Sequence, residues 1–198
     1  TPLYGWNIIG KRLLDIIFAS LVLIITSPVI GIVALLIKIT SQGPVFFKQE
    51  RMGMDGKIFN MLKFRTMFIN AEQETGPVWT KKGDPRCTKT GKFLRRTSID
   101  ELPQFINVLR GDMSIVGPRP ERPVFIQNFR NTIPKYMLRH KMKAGITGWA
   151  QVSGWRGNTS LEKRIEYDLY YIEKWTLNFD LKIIWLTLWN GFVNKHAY

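Results

Sequence analysis

The sequence contains a single cysteine, Cys87, and only two histidines among its 198 residues. One cysteine excludes a disulfide within the chain, and the scarcity of both residue types excludes most zinc-site patterns. Acidic residues are also few: 15 aspartates and glutamates face 29 lysines and arginines, so the formal net charge is +14. Such a charge favours an anionic partner, whether a nucleic acid, an anionic lipid or a phosphorylated substrate.

Two common nucleotide-binding patterns are missing as well. The sequence has no GxGxxG, and the run Thr90-Gly91-Lys92 lacks the earlier glycine of a P-loop because position 86 is arginine. With 45% hydrophobic residues the chain is not disordered by composition. Its length allows one globular domain and little more.

A hydrophobic run at residues 16–37 contains no charged residue. As a straight helix it would extend about 33 Å, close to the thickness of a bilayer core. A secretory signal peptide would have a shorter run followed by a small-residue cleavage site, so we expect a membrane segment. Pro28 lies in its middle and has no N–H, which deprives the carbonyl of Ile24 of its helical partner. A hydroxyl from Ser27, Thr26 or Ser20 would partly satisfy the freed backbone groups.

The topology of this segment follows from its flanks, which are basic on both sides. Lys11 and Arg12 precede the run and Lys38 follows it. Because lysine and arginine are favoured on the cytoplasmic side, a helix that enters and leaves on that side satisfies both flanks. A transmembrane helix with a proline kink is the alternative, and the sequence leaves both open.

The rest of the chain is more polar and mixes short strands with helices. Glycine-rich turns, capping residues and hydrophobic periodicity place the elements. We predict strands at 45–47 and 57–59 with a turn at 53–56, and a strand or a short helix at 59–71. We further predict loops at 75–92 and 145–157, and helices at 92–97, 103–110, 121–130, 135–141, 160–171 and 179–193. The last helix carries two tryptophans and is either an interfacial amphipathic helix or a core helix.

The pair Asp100-Glu101 lies just before Pro103, a residue favoured in the first turn of a helix. At a helix N-terminus, with arginines close by, two carboxylates can hold a divalent cation and a phosphate together. The pattern Ser98-x-x-Glu101 is also a capping box, and caps are far commoner than catalytic sites. By this motif alone the cap is the favoured interpretation.

The segment Gly117-Pro118-Arg119-Pro120 combines two prolines with one arginine. The prolines stiffen the backbone on both sides of Arg119, which suits bidentate recognition of a phosphate. A rigid loop with a solvated arginine is the alternative, and local evidence favours it.

The motifs together are more specific than each alone. The proline-interrupted apolar segment is followed by FKQERMG at 47–53, KFRTM at 63–67, SIDELPQ at 98–104 and GDMSIVGPRP at 111–120. In this order they closely resemble the bacterial sugar transferases, the polyprenyl-phosphate monophosphoglycosyl transferases. The resemblance extends over about residues 11–198.

The resemblance implies that a sugar 1-phosphate passes from a UDP-sugar to undecaprenyl phosphate with release of UMP. This would be the first membrane step of surface polysaccharide synthesis, on the cytoplasmic face of the bacterial inner membrane. It implies that Asp100 is the nucleophile of a covalent phosphosugar intermediate, and that Glu101 supports the metal or positions the acceptor. The expected cofactor is Mg²⁺, held by Asp100 and Glu101, which offsets phosphate charge.

Four basic residues match family positions that look close to the phosphates. They are the expected substrate-binding residues Lys63, Arg65, Arg95 and Arg119, with Arg65 the weaker transfer. The family usually has proline where Ala144 stands, which weakens the expectation of a rigid loop there. Residues 155–157 and 190–198 look like the glucose-1-phosphate branch, so the expected sugar is glucose, with galactose as the other candidate.

The expected fold is α+β and mainly helical: a monotopic membrane protein with a proline-broken re-entrant membrane helix, interfacial amphipathic helices and short strands. Residues 1–40 would form the N-terminal segment and re-entrant helix, and residues 41–198 the cytoplasmic-face catalytic domain. Membrane lipid is an expected partner, nucleic acid is not, and a homodimer is among the assemblies that the resemblance allows. A basic membrane-tethered nucleic-acid-binding or scaffold module is the competing interpretation, but no nucleic-acid motif supports it.

Overall fold

The computed structural model describes residues 4–73, 76, 78, 83–157 and 159–193. Parts of the predicted loop at 75–92 and the C-terminal residues 194–198 lie outside them. The chain is mainly helical with short strands, as expected. The helices are α1 Trp6–Thr40, α2 Lys89–Arg96, α3 Gln104–Arg110, α4 Pro123–Thr132, α5 Trp149–Val152, α6 Leu161–Glu173 and α7 Leu177–Val193. The strands are β1 Phe46–Met52, β2 Ile58–Phe64, β3 Ser114–Val116 and β4 Gly145–Thr147, and 3₁₀ turns occupy Met54–Gly56, Ile99–Glu101 and Tyr136–Lys141.

The longest element is α1, with 35 residues, and it is long and apolar enough to cross a membrane by length and composition. The segment expected to be broken at Pro28 is one continuous helix that contains the proline. Ser27 Oγ donates to the carbonyl of Ile24 at 2.8 Å, as the sequence predicted. The hydroxyl thus replaces the N–H that Pro28 lacks, which explains why helical structure continues through this position.

Both ends of α1 pack against the rest of the chain. Near the N-terminal end, Lys11 Nζ donates to Asp180 Oδ2 at 2.7 Å on α7. Near the C-terminal end, Ile37 is buried in one cluster with Phe64 of β2. Between them, no residue from 20 to 32 is fully buried. The middle of the helix is therefore less buried than its two ends, although Ile30 packs against the cluster that contains Ile37.

The two strand pairs differ in how well the sequence predicted them. Strands β1 and β2 form an antiparallel hairpin in which Phe46 pairs with Phe64 and Met52 with Ile58. The predicted strands and turn are confirmed, although both strands are longer than expected. Strands β3 and β4 pair in parallel, and neither was predicted. Strand β4 lies at the start of the predicted loop at 145–157. Three-residue strands are too short to show the alternation by which a strand is recognised.

Local capping explains several helix boundaries. Ser160 Oγ accepts a hydrogen bond from the N–H of Lys163 at the start of α6, and Gly111, with φ of 89°, ends α3. Both features were predicted. Helix α2 begins earlier than predicted because Thr88 accepts a hydrogen bond from the N–H of Gly91. The predicted helix at 135–141 is a 3₁₀ turn.

Helix α7 combines the two alternatives that the sequence left open. Asp180 and Ile183 are fully buried, and Ile183 belongs to the main hydrophobic core, which also includes Val108, Ile115 and Tyr171. The opposite side is apolar and exposed, with exposed fractions of 50–65% at Leu181, Trp185, Leu188 and Trp189. The helix therefore packs on the core with one face and presents an unpaired apolar face with the other.

Candidate active site

A cavity of about 920 Å³ opens between the β1–β2 hairpin and the turns around α2, α3 and β3. This volume lies within the range typical of small-molecule sites. All six predicted site residues line it: Lys63, Arg65, Arg95, Asp100, Glu101 and Arg119. The structure thus brings together residues that lie up to 56 positions apart in the chain.

The two carboxylates lie on the 3₁₀ turn Ile99–Glu101 between α2 and α3. The capping-box interpretation of Ser98-x-x-Glu101 is wrong, because the Ser98 side chain makes no capping hydrogen bond. Ser98 adopts a left-handed backbone with φ of 56°, so the chain reverses there instead of entering a helix. Glu101 instead points to basic residues from other elements.

Glu101 is the centre of a small ion-pair cluster. Its Oε1 accepts from Lys63 Nζ at 2.8 Å and from Arg119 Nη2 at 2.7 Å. Burial by itself would raise the pKa of Glu101, but Arg119, Lys63 and Arg156 outweigh it and hold the pKa well below its ordinary value of 4.5. Glu101 is therefore ionised and holds two cations at the floor of the cavity.

Asp100 has a different environment from its neighbour. Its exposed fraction is 7%, and within the described part of the chain its carboxylate makes no hydrogen bond or ion pair. Burial raises the pKa of Asp100 above its ordinary value of 3.8, although Lys63 acts in the opposite direction. A buried carboxylate without a partner is more basic than an exposed one, and it is the group available to react with a ligand.

The loop that carries Arg119 is held from two sides. Arg139 Nη2 donates to the carbonyl of Arg119 at 3.0 Å, and Arg51 Nη1 donates to the carbonyl of Pro120 at 3.0 Å. Arg139 is itself fixed by Asp168, which is 2.6 Å away, with both side chains almost fully buried. The stiff presentation of Arg119 expected from the flanking prolines is therefore reinforced by buried hydrogen bonds.

The other two basic residues predicted to bind substrate, Arg95 and Arg65, donate hydrogen bonds to neighbouring parts of the chain. Arg95 Nε donates to Thr66 Oγ1 at 2.8 Å. Arg65 donates to the carbonyl and the hydroxyl of Ser41 at 2.9 and 2.8 Å, and also to the carbonyl of Gln42. Arg65 thus ties the chain that follows α1 to the end of β2. Its role in substrate binding stays a prediction.

Sequence reasoning missed several other residues that line the cavity, namely Gln49, Arg51, Arg122, Trp155 and Arg156. The alternation of β1 was a signal for two of them, because Gln49 and Arg51 share one face of the strand. Arg156 lowers the pKa of Glu101 from a segment to which no role had been assigned. These arginines add further positive charge to an already basic cavity.

The residues present fit a divalent cation only together with a ligand. Among the described residues, no cluster of three or more histidines, cysteines, aspartates or glutamates could hold a metal. Magnesium is commonly bound through one or two carboxylates plus phosphate oxygens and waters. Asp100 is unpartnered and Glu101 adjoins it, so this carboxylate pair suits a magnesium ion that arrives with a phosphorylated substrate.

Comparison with known proteins adds independent findings. The family model described as bacterial sugar transferase matches residues 6–194. The UDP-glucose:undecaprenyl-phosphate glucose-1-phosphate transferase of Escherichia coli is 54% identical over 100% of this chain, and its Xanthomonas campestris counterpart is 46% identical over 98%. The UDP-N-acetylgalactosamine-undecaprenyl-phosphate N-acetylgalactosaminephosphotransferase of Aeromonas hydrophila is 43% identical over 95%. The chain spans 41–44% of the length of these three relatives.

Proposed function

The chain belongs to the bacterial sugar transferase family, and we propose on that basis that it transfers a sugar 1-phosphate from a UDP-sugar to undecaprenyl phosphate. The observation that carries the proposal is the cavity in which an unpartnered Asp100 lies beside a cluster of lysine and arginine side chains. Such a site binds the phosphates of a substrate and offers one carboxylate to react with them. UMP is the expected leaving product.

Glucose is the sugar that we propose. The relative at 54% identity is named for glucose, whereas the relative named for N-acetylgalactosamine is 43% identical. Galactose is the other candidate, since it differs from glucose only in the orientation of one hydroxyl. The reaction would be the first membrane step of surface polysaccharide synthesis.

The reaction has two displacements at one phosphorus atom. A carboxylate oxygen of Asp100 attacks the phosphorus that carries the sugar, the bond to the UMP oxygen breaks, and UMP leaves. A phosphate oxygen of undecaprenyl phosphate then attacks the same phosphorus and releases the Asp100 carboxylate. Splitting one difficult displacement into two is the advantage of a covalent intermediate. Lys63 and Arg119 supply positive charge where charge develops on the phosphoryl oxygens.

Glu101 acts by positioning, since it holds Lys63 and Arg119 at 2.8 and 2.7 Å. Mg²⁺, held by the Asp100 and Glu101 carboxylates with the phosphates of the donor, would neutralise charge on the diphosphate. Lys63 and Arg119 line the same cavity, so they would contribute positive charge to the binding of the same phosphates. The nucleophile and the positioning acid thus have separate tasks.

The membrane arrangement that we propose is a helix that enters and leaves on the cytoplasmic face of the inner membrane. Contacts at both ends of α1 with one domain support a return to the same face, at Lys11 with Asp180 and at Thr40 with Thr90. The exposed apolar face of α7 would lie in the membrane interface. A homodimer and the absence of a nucleic-acid partner stay predictions.

The test is UMP release from a panel of UDP-sugars by the purified chain in lipid nanodiscs with undecaprenyl phosphate. We expect turnover with UDP-glucose, and a loss of more than about 1,000-fold in Asp100→Asn because the nucleophile is gone. Asp55→Asn is the matched control, since Asp55 is an exposed acid with a weak pair to Lys141 and should retain full activity. Full activity in Asp100→Asn would refute the assignment of the nucleophile. Absence of turnover with every UDP-sugar would refute the function.

A further inference from the structure

The cavity is amphipathic, and the proposed donor accounts for only one part of it. Phe47, Phe68 and Ile69 line the cavity, with exposed fractions of 44%, 57% and 53%. We call these three side chains the apolar rim. The uracil ring of a UDP-sugar can stack on one aromatic side chain, but the donor has no aliphatic part that would cover the whole apolar rim. Exposed apolar side chains that border a ligand cavity mark a place where an apolar group binds.

The polarity of the cavity changes along β1. Phe47, Gln49 and Arg51 alternate along the strand, and all three line the cavity. Phe47 pairs across the hairpin with Lys63, the lysine that contacts Glu101. Because a strand rises about 3.3 Å per residue, Phe47 and Arg51 lie about 13 Å apart along this row. Since Phe47 is the cross-strand neighbour of Lys63, an apolar side chain lies directly beside one of the cations expected to bind phosphate.

The apolar rim lies where α1 ends. The segment after α1 is tied to Arg65 through Ser41, and Phe68 and Ile69 follow Arg65 closely in the chain. Ile69 packs against the backbone of Gly43, where an added Cβ would lie 2.7 Å from Ile69 Cδ1. Gly43 has a φ of +111°, so glycine allows this close approach. The apolar end of the cavity thus opens beside the C-terminal end of the long apolar helix.

We propose that the apolar rim binds the phosphate-proximal isoprene units of the polyprenyl acceptor, so that its phosphate reaches Asp100 and Lys63. This inference rests on the proposed function. A ligand with an anionic head and an apolar chain fits this lining, because Lys63 and Arg119 line the cavity together with Asp100, and the apolar rim lines it near the end of α1. The opening beside α1 lets the rest of the chain remain in the bilayer while the head enters the cavity. Undecaprenyl phosphate has this chemistry, whereas a nucleotide or free phosphate lacks the apolar part.

The experiment compares Phe68→Ser and Ile69→Ser with a matched control, Ile58→Ser, in the full chain. Ile58 has an exposed fraction of 56%, close to that of Ile69, and does not line the cavity. Two acceptors are used in nanodiscs, undecaprenyl phosphate and geranyl phosphate, whose short chain consists of the phosphate-proximal isoprene units alone. The stoichiometric burst of UMP from UDP-glucose without acceptor measures the first displacement separately.

For both rim variants we expect the KM for undecaprenyl phosphate to rise about tenfold, the change that corresponds to losing one buried apolar side chain from the contact. The KM for geranyl phosphate should rise by a similar factor, because this acceptor retains the phosphate-proximal isoprene units. The UMP burst and the KM for UDP-glucose should stay at wild-type values. Ile58→Ser should behave as wild type with both acceptors.

Three outcomes would overturn the inference. The rim variants could match Ile58→Ser in every KM, or lose the UMP burst in proportion to turnover, which would indicate general damage to the site. The loss of turnover in the rim variants could also parallel their release from vesicles in a flotation assay, which would show that the rim only anchors the protein to the membrane. A wild-type chain without a UMP burst for any UDP-sugar would overturn the proposed function, and this inference with it.

Discussion

The substitution Glu101→Gln removes one negative charge and keeps the shape of the side chain. In the wild-type protein, Glu101 Oε1 accepts from Lys63 at 2.8 Å and from Arg119 at 2.7 Å. The exposed fractions of the three side chains are 13%, 17% and 24%, so solvent screens these pairs only in part. The variant leaves two cations facing a neutral amide, and they also repel each other.

The magnitude follows from the partial burial of the two ion pairs. A solvent-exposed pair contributes less than about 1 kcal/mol, whereas removing one partner of a fully buried pair costs about 3–5 kcal/mol. The Glu101 cluster lies between these limits, so the free energy of unfolding should fall by about 2–3 kcal/mol. Because the pKa of Glu101 is held well below 4.5 in the folded state, its contribution is present at neutral pH. The contribution is lost only as the pH falls below 4.5 toward the folded-state pKa.

The assay is urea unfolding in detergent at neutral pH, together with the rate of UMP release. Glu72→Gln is the matched control, because Glu72 also lines the cavity and pairs with Arg122 at 2.9 Å, but its exposed fraction is 37%. An exposed pair of this kind contributes less than about 1 kcal/mol. UMP release should fall about 100-fold in Glu101→Gln, the usual effect of misplacing one electrostatic contact, and little in the control. If both variants unfolded with the same free energy, the assigned role of Glu101 would be refuted.

Three further predictions concern other parts of the molecule. Asp168→Asn leaves the buried guanidinium of Arg139 without its carboxylate partner, so the free energy of unfolding, measured by urea titration, should fall by about 3–5 kcal/mol. A loss below about 1 kcal/mol would contradict the structural role of this buried ion pair. Burial raises the pKa of Asp100 above 3.8, and only the ionised carboxylate is nucleophilic. The amplitude and rate of the UMP burst should therefore fall on acidification with a midpoint above pH 3.8. A midpoint at or below pH 3.8 would contradict the assignment of Asp100 as the nucleophile. Pro28→Ala restores a helical N–H and favours a straight helix that spans the membrane. A cysteine placed at Gly5 should then become accessible from the periplasm, and UMP release should be lost. If this variant kept the wild-type labelling pattern and full activity, the proposed return of α1 to the cytoplasmic face would be contradicted.

Features encoded within a few residues of the chain were predictable from the sequence. The hairpin turn at 53–56, the end of α3 at Gly111 and the cap of α6 at Ser160 depend on local turn and capping chemistry. The hydroxyl of Ser27 that satisfies the carbonyl of Ile24 is local as well. In each case the residue that decides the structure lies within four positions of the group that it contacts.

Features that depend on distant residues were not predictable in this way. The capping box failed because the partners of Glu101 lie 38 and 18 residues away, at Lys63 and Arg119, where no local pattern reveals them. The contact of Arg65 with Ser41 joins β2 to the end of α1, 24 positions apart, and was missed for the same reason. Local evidence alone favoured ordinary structural roles for the acidic pair and for Arg119. Their selection as site residues came from the family resemblance, and the structure then brought them to one cavity.

The central claim is that Asp100 carries the sugar phosphate between the two substrates, and intact mass spectrometry tests it most directly. The purified chain is incubated with UDP-glucose without an acceptor, and the modified peptide is then identified. We expect one glucose phosphate bound through Asp100, one UMP released per molecule of enzyme, and neither product in Asp100→Asn. If UMP release required undecaprenyl phosphate and left the protein unmodified, or if the adduct lay on another residue, Asp100 would not be the nucleophile.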